Sequence, residues 1–336
     1  MSRSLSGAAS LCTLLISSIF PCAVRGADHG DTPFLVDAQR HDARLTDLYA
    51  FVRGEKLVVI VALDPTIPPE VNEYLFASDL TVTIFIDHDS SVTFDDPVDL
   101  STYGGSLVAP QNVEEDIALT VRFDEQGSPI LETVGLPPGA GQNVRLFAGL
   151  RDDPFIRGPR IGRNVAAIVL QIPLSTVLNG QDTLLIWTIA KVEGMQGPFQ
   201  EMAGRAFRSQ FPENNAMNTL HPRDHFNILG VRPDVIIFNT SRLSAFPNGR
   251  ELTDDVLDLV GDPRPLSNDD PFPDANDREF LDEFPYLSPP HIAGQPAVPA
   301  VSEFALIVMT LLGLTAGTLL FGRRRPVVAD VEIDPV

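Results

Sequence analysis

The chain has 336 residues, 44% of them apolar, and a formal charge of -21. A surface this acidic repels phosphate backbones, and lysine occurs only at Lys56 and Lys191, so nucleic-acid binding is excluded, whereas divalent cations and cationic surfaces are compatible partners. The 29 prolines, 24 glycines and 7% aromatic content indicate many turns and exclude a helical bundle.

The first 26 residues have the three parts of a secretory signal peptide. Arg3 supplies the positive start, residues 8–20 the short apolar stretch, and residues 24–27 the small residues around a cleavage point. Residues 1–26 therefore predict export from the cytoplasm. Cys12 and Cys22 both fall in this peptide, so we expect an exported body without disulfides or thiolate metal sites.

Residues 27–260 predict one extracytoplasmic β-rich domain. Segments rich in Val, Ile and Leu and bounded by turn residues recur along it as candidate strands. Helical signals are fewer: residues 254–259 follow Thr253, a suitable N-cap, and residues 199–211 form a second candidate helix. We expect a mainly antiparallel, β-sandwich-like domain with small helical insertions. The candidate strands are residues 57–63, 80–86, 117–123, 144–148, 165–172, 184–192 and 235–238.

The C-terminal part of the chain predicts a stalk and a membrane anchor. Residues 261–303 are rich in Pro, Asp and Asn with little periodicity, which is typical of an irregular stalk. Residues 304–322 are uncharged and apolar; as a helix they reach roughly 28 Å, so they predict one transmembrane helix. Three arginines begin residues 323–336, which predicts a cytoplasmic tail and places the body on the other side of the membrane.

At the junction between stalk and anchor, Pro299, Ser302 and Glu303 precede the apolar run, and three arginines follow it. This order resembles the exosortase-type C-terminal sorting signals of Gram-negative bacteria. It implies two partners, the membrane and an exosortase-type processing enzyme. Two locations follow as alternatives: anchoring in the inner membrane with the body in the periplasm, or release to the cell surface or the medium after processing.

Residues 27–260 contain four short motifs in order: ADHGDTP at residues 27–33, LTDLYAF at 45–51, FAGLRDDPF at 147–155 and FPNGRELTDDV at 246–256. Together these four blocks resemble a family of exported bacterial proteins, domain-of-unknown-function family 4331. Around residues 197–211 the family reads closer to Arg-Met-Gly-Arg-Pro, where this chain has EMAGRA at residues 201–206. The resemblance implies export but supplies no activity, cofactor or catalytic residue.

Closely spaced aspartates after residue 86 suggest a calcium site. Asp87 and Asp89 are followed by Asp95 and Asp96, and Ca²⁺ binds six to eight oxygens. The loop lacks the glycine and the final glutamate of an EF-hand, so that motif is excluded. The alternative is that these aspartates form turns, caps and soluble surface.

Histidines form a second candidate site, for a transition metal. His221 and His225 are four residues apart and would share one face of a helix, and His29 lies in the first block. Imidazole together with carboxylate suits Zn, Cu or Fe. Pro222 is compatible with a helix only if it lies in the first turn, and no glutamate stands next to His221 as a zincin requires. The alternative is a loop with two exposed histidines.

The stretch from Arg151 to Phe155 favours a structural interpretation, in which Arg151 pairs with a carboxylate and Phe155 packs. Enzyme signatures are missing from the sequence: it has no Gly-x-Ser-x-Gly, no Walker loop and no dinucleotide fingerprint, so no dinucleotide partner is expected. The sequence favours a non-catalytic exported envelope or surface protein, with Ca²⁺ as the candidate cofactor. The alternative is an extracytoplasmic metal-dependent enzyme, hydrolase-like, that uses the Asp and His loops.

Overall fold

The structure of the chain is a computed structural model that describes most of its body. The described residues are 29, 32–68, 70–156, 162–197, 200–206, 214–259 and 274–292. They include nearly all of the predicted extracytoplasmic domain and the middle of the predicted stalk.

Strands dominate the described residues, and the helices are short. The strands are β1 (Leu45–Arg53), β2 (Lys56–Leu63), β3 (Leu80–Asp87), β4 (Val92–Thr93), β5 (Ser106–Leu107), β6 (Ile117–Phe123), β7 (Pro129–Val134), β8 (Arg145–Asp152), β9 (Asn164–Pro173), β10 (Thr183–Val192), β11 (Glu201–Ala203) and β12 (Ile236–Asn239). The α-helices are α1 (Pro33–Asp37), α2 (Pro97–Tyr103), α3 (Leu174–Leu178), α4 (Asn214–Met217), α5 (Pro222–Asp224) and α6 (Val256–Leu259). Short 3-10 turns occur at His41–Ala43, Pro110–Asn112 and Ala140–Asn143, and a π-helical turn at His225–Leu229.

Two large antiparallel sheets build the domain, and β4 and β5 form a small two-stranded sheet beside them. The first sheet has the strand order β1-β2-β9-β8, and the second has the order β11-β10-β3-β6-β7, with β12 also paired to β10. Strands β1 and β2 form a tight hairpin in which Arg53 pairs with Lys56. Gly54 in its turn has a φ of 59°, a left-handed conformation that costs glycine little. This short turn therefore sets the register between β1 and β2.

Apolar residues that face inward from both sheets form one continuous core. Strand β2 shows the alternation that produces it: Leu57, Val59 and Val61 belong to this core, whereas Val58 and Ile60 face the opposite side. Strands β3, β6 and β10 of the second sheet contribute alternate residues to the same core. The two sheets are therefore held together by burial of apolar surface, without disulfides among the described residues.

Residues 274–292 cover the outer face of the first sheet. Leu287 is fully buried and Tyr286 is 5% exposed, and both pack in a cluster with Phe51 and Ile60 of that sheet. The segment forms no helix or strand, as expected for an irregular stalk. It nevertheless lies against the domain and does not lead away from it, because its aromatic and leucine side chains provide apolar surface that the Pro- and Asp-rich composition obscures.

The prediction of a mainly antiparallel β domain with a few short helices is confirmed. Each predicted strand has an observed counterpart, and the helix expected after Thr253 is α6. The helix predicted over residues 199–211 is wrong where it is described, because Glu201–Ala203 forms strand β11 against β10. Strands β1, β4, β5 and β7 are not predicted: β1 carries the charged Asp47, β4 and β5 have two residues each, and most side chains of β7 are exposed.

The predicted termini lie outside the described residues. The signal peptide (residues 1–26), the transmembrane helix (304–322) and the cytoplasmic tail (323–336) therefore stay sequence predictions. Within the part of the chain that the structure describes, no helix is both long and apolar enough to cross a membrane.

Candidate metal centre

Asp87, the first residue of the predicted calcium site, is committed to its own loop. It ends β3 with its side chain fully buried. Its two oxygens accept hydrogen bonds from the backbone N–H groups of Asp89, Ser90 and Glu114, and from the Ser90 hydroxyl at 2.6 Å. Burial raises the pKa of Asp87, and these hydrogen bonds oppose that rise. The carboxylate therefore stabilises the loop, and its oxygens already accept four hydrogen bonds from protein groups.

The remaining calcium candidates are divided between two places. Asp89 and Asp87 lie near Asp116, and a carboxylate oxygen of each is within 4.8 Å of the others. Asp96 instead caps α2 by accepting the N–H groups of its first turn, and Asp95 accepts the hydroxyl of Thr93. The structure thus brings together two of the four predicted residues, at a partly exposed loop.

The predicted histidines also have separate environments. His29 Nε2 lies 2.8 Å from Glu201 Oε1, with both side chains buried. His221 Nε2 lies 3.1 Å from Glu115 Oε2, and its Nδ1 accepts the N–H of Arg223 at the start of α5. Burial lowers the pKa of His221, which favours the neutral ring. Among the described residues, no group of three convergent metal-ligating side chains contains either histidine.

His225 is a fully buried structural residue. Its Nδ1 accepts the N–H of Asp234, and its Nε2 lies 3.1 Å from the carbonyl oxygen of Met217. Both ring nitrogens are therefore engaged, and neither is directed at a metal. Pro222 is the first residue of the single turn α5, with His221 as its N-cap, and His225 begins the following π-helical turn.

A different group of side chains converges where the segment 274–292 meets the first sheet. Asp152, the last residue of β8, is 1% exposed, and its Oδ1 lies 2.7 Å from His291 Nε2. The same Nε2 lies 3.4 Å from Asp277 Oδ2. One ligand atom from each of the three side chains lies within 4.8 Å of the others. This group of two carboxylates and one imidazole is the candidate metal centre.

Neighbouring groups hold these ligands in place. Asn276 donates its amide N–H to Asp152 Oδ2 at 2.6 Å, and the backbone N–H of Gly162 donates to Asp277 Oδ2. Asn164 is the register partner of Asp152 on β9, and its side-chain amide forms two hydrogen bonds with the backbone of His291. Such outer contacts orient metal ligands and are a regular part of metal sites.

The two closest ligand atoms do not form a hydrogen bond with each other. Within the residues that the structure describes, Asp152 Oδ1 and His291 Nε2 are buried and have no hydrogen-bond partner. Their 2.7 Å separation is that of an ion pair if the ring is protonated, but the contact does not have hydrogen-bond geometry. Two ligands of one ion, each about 2.1 Å from it, lie about 3.0 to 3.4 Å apart. The distance from His291 Nε2 to Asp277 Oδ2 fits this range. The distance from His291 Nε2 to Asp152 Oδ1 would have to lengthen by a few tenths of an ångström when an ion binds.

The electrostatic environment of Asp152 favours a neutralising partner. Burial raises its pKa to about 8, and the nearby carboxylates of Asp277 and Asp153 act in the same direction. The hydrogen bond from Asn276 and the charge of Arg278 act against them. A divalent cation would supply positive charge next to the ionised carboxylate, as His291 would if its ring were protonated.

No protein-family model matches the chain, and no curated protein matches its sequence. The resemblance of the four sequence blocks to family 4331 therefore stays a prediction. The chemistry of the metal centre follows from its own residues and their geometry.

Three of the four blocks meet at a buried junction around Arg250. Its guanidinium donates to Asp47 Oδ1 at 3.0 Å and lies 4.1 Å from the ring centre of Tyr49. Phe155 from the third block is 5.7 Å away, and it is buried as predicted. Arg151 is predicted to pair with a carboxylate. Its guanidinium instead lies 4.0 Å from the ring of Phe147, on the same strand. The blocks thus support the end of the sheet where Asp152 lies.

Sequence reasoning identifies only one of the three ligands as part of a motif. Asp152 belongs to the third block, but its neighbours suggest a structural corner. Asp277 and His291 lie in the segment predicted to be a stalk, where isolated polar residues carry no periodic signal. The one usable signal is the aromatic content of residues 280–286, which is unusual for an exposed linker.

Proposed function

We propose that this chain is an exported divalent-metal-binding protein whose metal centre consists of Asp152, Asp277 and His291. One observation carries the proposal: Asp152 Oδ1 and His291 Nε2 converge to 2.7 Å as buried atoms, and neither has a hydrogen-bond partner among the described residues. Buried polar atoms are rarely left without partners, and a shared metal ion would satisfy both.

The donor set favours a transition metal such as Zn²⁺ or Mn²⁺ over Ca²⁺. Calcium takes six to eight oxygen ligands, whereas this centre offers three side chains, one of which is an imidazole. Imidazole with carboxylates suits Zn²⁺, Mn²⁺ and Fe²⁺. Three protein ligands also leave at least one coordination position for water or another ligand.

The cellular setting of the proposal rests on the sequence. A signal peptide, a sandwich-like acidic domain without cysteine, and a C-terminal membrane helix with an exosortase-type sorting signal together describe a protein displayed outside the cytoplasm. The resemblance to family 4331 supports the same location. Histidine and carboxylate ligands suit an exported protein whose cysteines are confined to its signal peptide.

A metal-dependent hydrolase is the second candidate function. It is favoured by an open cleft of about 730 Å³ beside the centre, whose lining includes Asp277 and its neighbour Asn276. An open coordination position facing such a cleft could activate a water molecule. Among the described residues, no further side chain is placed by this geometry as a general acid or base.

Metal analysis of the full-length chain, purified in mild detergent, tests the proposal. After chelation and dialysis, the chain is titrated with Zn²⁺, Mn²⁺ and Ca²⁺ while its unfolding temperature is followed. We expect one equivalent of transition metal and a stabilisation of about 2.7 kcal/mol at a hundred times Kd.

Variants at the centre provide the control. Asp152→Asn and His291→Gln should abolish the metal-induced shift, whereas Asp282→Asn should retain it, because Asp282 is an exposed acid of the same segment. Unchanged shifts in the first two variants, or no bound metal in the parent chain, would contradict the proposal.

A further inference from the structure

Residues 274–292, which we name the clasp segment, form a loop whose two ends are tied together. Arg278 near its start donates to the carbonyl oxygens of Pro289 and Pro290 near its end. The Ser288 hydroxyl donates to the carbonyl of Glu279 at 2.8 Å. These bonds bring Asp277 and His291 side by side, although fourteen positions separate them in the chain. Both ends of the segment therefore reach the metal centre together.

The same end of the loop is where the clasp segment is attached to the first sheet. The backbone N–H of Asp152, at the end of β8, donates a hydrogen bond to the carbonyl of Ser288 at 3.3 Å. Asn164 on β9 holds the backbone of His291 through two hydrogen bonds. One ion bound by Asp152, Asp277 and His291 would link the sheet to both ends of the loop at once.

Charge opposes docking of the clasp segment when no cation is bound. The segment contains five acidic residues against one arginine, Arg278, and it packs on a chain of net charge -21. Two contacts partly offset this: Arg145 lies 4.3 Å from the ring of Phe284, and Arg53 lies 6.0 Å from that of Tyr286. Both contacts are in the middle of the segment. At its ends, where Asp277 approaches Asp152, the offsetting positive charge comes either from His291 when its ring is protonated or, with the ring neutral, from a divalent cation.

We infer that metal occupancy controls whether the clasp segment stays docked, so that loss of the ion releases residues 274–292 from the outer face of the first sheet. This inference rests on the proposed function. The released face includes Phe51 and Ile60, which the segment now covers with Tyr286 and Leu287. The inner core is built from other residues, so the two sheets keep their packing when the segment leaves.

Hydrogen exchange of the full-length chain measures this release. The reporters are amides whose hydrogen bonds join the clasp segment to the first sheet: His291, whose N–H donates to Asn164 Oδ1 at 2.8 Å, and Asp152, whose N–H donates to the Ser288 carbonyl at 3.3 Å. A ligand present at a hundred times its Kd lowers the population of a state that does not bind it about a hundredfold. Stripping Zn²⁺ with a chelator should therefore speed exchange at these amides by up to that factor, while β3 and β10 stay protected.

Variants separate this inference from the proposed function. In Asp152→Asn and His291→Gln, the clasp segment should exchange at one rate with or without Zn²⁺, and the exposed-site control Asp282→Asn should respond like the parent. If Zn²⁺ binds stoichiometrically but leaves hydrogen exchange in the segment unchanged, the inference that the ion controls docking is refuted, whereas the proposed metal binding is not. Faster exchange throughout both sheets after stripping would also overturn it, because the ion would then support the whole fold. Absence of Zn²⁺ binding would refute both.

Discussion

Replacing Asp152 with asparagine separates the cost of its buried charge from its role as a ligand. A rise in the pKa of Asp152 from 3.8 to about 8 corresponds to about 5 to 6 kcal/mol for keeping the carboxylate ionised in the folded, metal-free chain. Because the folded pKa lies above the unfolded one, the folded chain binds more protons between about pH 4 and pH 8. Its stability should therefore fall as the pH rises through that window.

The measurement is urea unfolding of the metal-free chain in mild detergent at pH 5, 6.5 and 8. From pH 5 to pH 8, Asp152 should remove on the order of 4 kcal/mol of stability from the parent, and Asp152→Asn should lack this loss. At pH 8 the metal-free variant should be at least as stable as the metal-free parent. Added Zn²⁺ should stabilise the parent, more at pH 8 than at pH 5.5, and leave the variant unchanged.

A metal-free variant that is clearly less stable than the parent at pH 8 would refute this prediction. That result would mean that Asp152 and His291 form a favourable ion pair that needs no metal. Asp282→Asn is the matched control, because it makes the same change of charge at an exposed position of the same segment. It should follow the parent at every pH.

Three further substitutions test the surrounding structure. Asp87→Ala removes the acceptor of four hydrogen bonds and should cost about 2 to 4 kcal/mol in urea unfolding, with no dependence on Ca²⁺; a Ca²⁺-dependent loss would restore the predicted calcium site. Arg250→Ala removes the buried guanidinium paired with Asp47 and should cost about 3 to 5 kcal/mol, so a loss below 1 kcal/mol would show that the junction is dispensable. His221→Gln should flatten the loss of stability below about pH 6.5 that follows from the lowered pKa of His221, and identical acid titration of stability in both chains would contradict it.

The strands can be predicted from the sequence where nearly all of their residues are apolar. Strands β2 and β9 are runs of branched apolar residues, and such runs predict central strands whichever sheet they join. Strand β1 does not follow, because its start contains Asp47, a buried carboxylate that pairs with Arg250, about two hundred residues away. Strand β11 does not follow either, because its three residues become a strand only through pairing with β10.

The candidate metal centre depends on contacts that the sequence pattern does not encode. Asp152 has an identifiable place at the end of a strand, but Asp277 and His291 reach it only because aromatic residues fix the clasp segment on the sheet. Of the residues predicted as ligands, Asp87 and Asp89 lie together with Asp116, whereas others are engaged elsewhere for a related reason. Asp96 is the N-cap of α2, and His225 Nδ1 accepts the N–H of Asp234. Side chains whose spacing in the sequence suggests metal ligands thus already form hydrogen bonds with the nearby backbone.

X-ray absorption at the metal edge of the Zn²⁺- or Mn²⁺-loaded full-length chain tests the central claim most directly. The proposed centre predicts a first shell of nitrogen and oxygen at about 2.0 to 2.2 Å with the outer-shell scattering of one imidazole, and it predicts that His291→Gln loses that imidazole signal. An imidazole signal that persists in this variant, or a metal bound by oxygen alone in the parent, would place the ion elsewhere and contradict the claim.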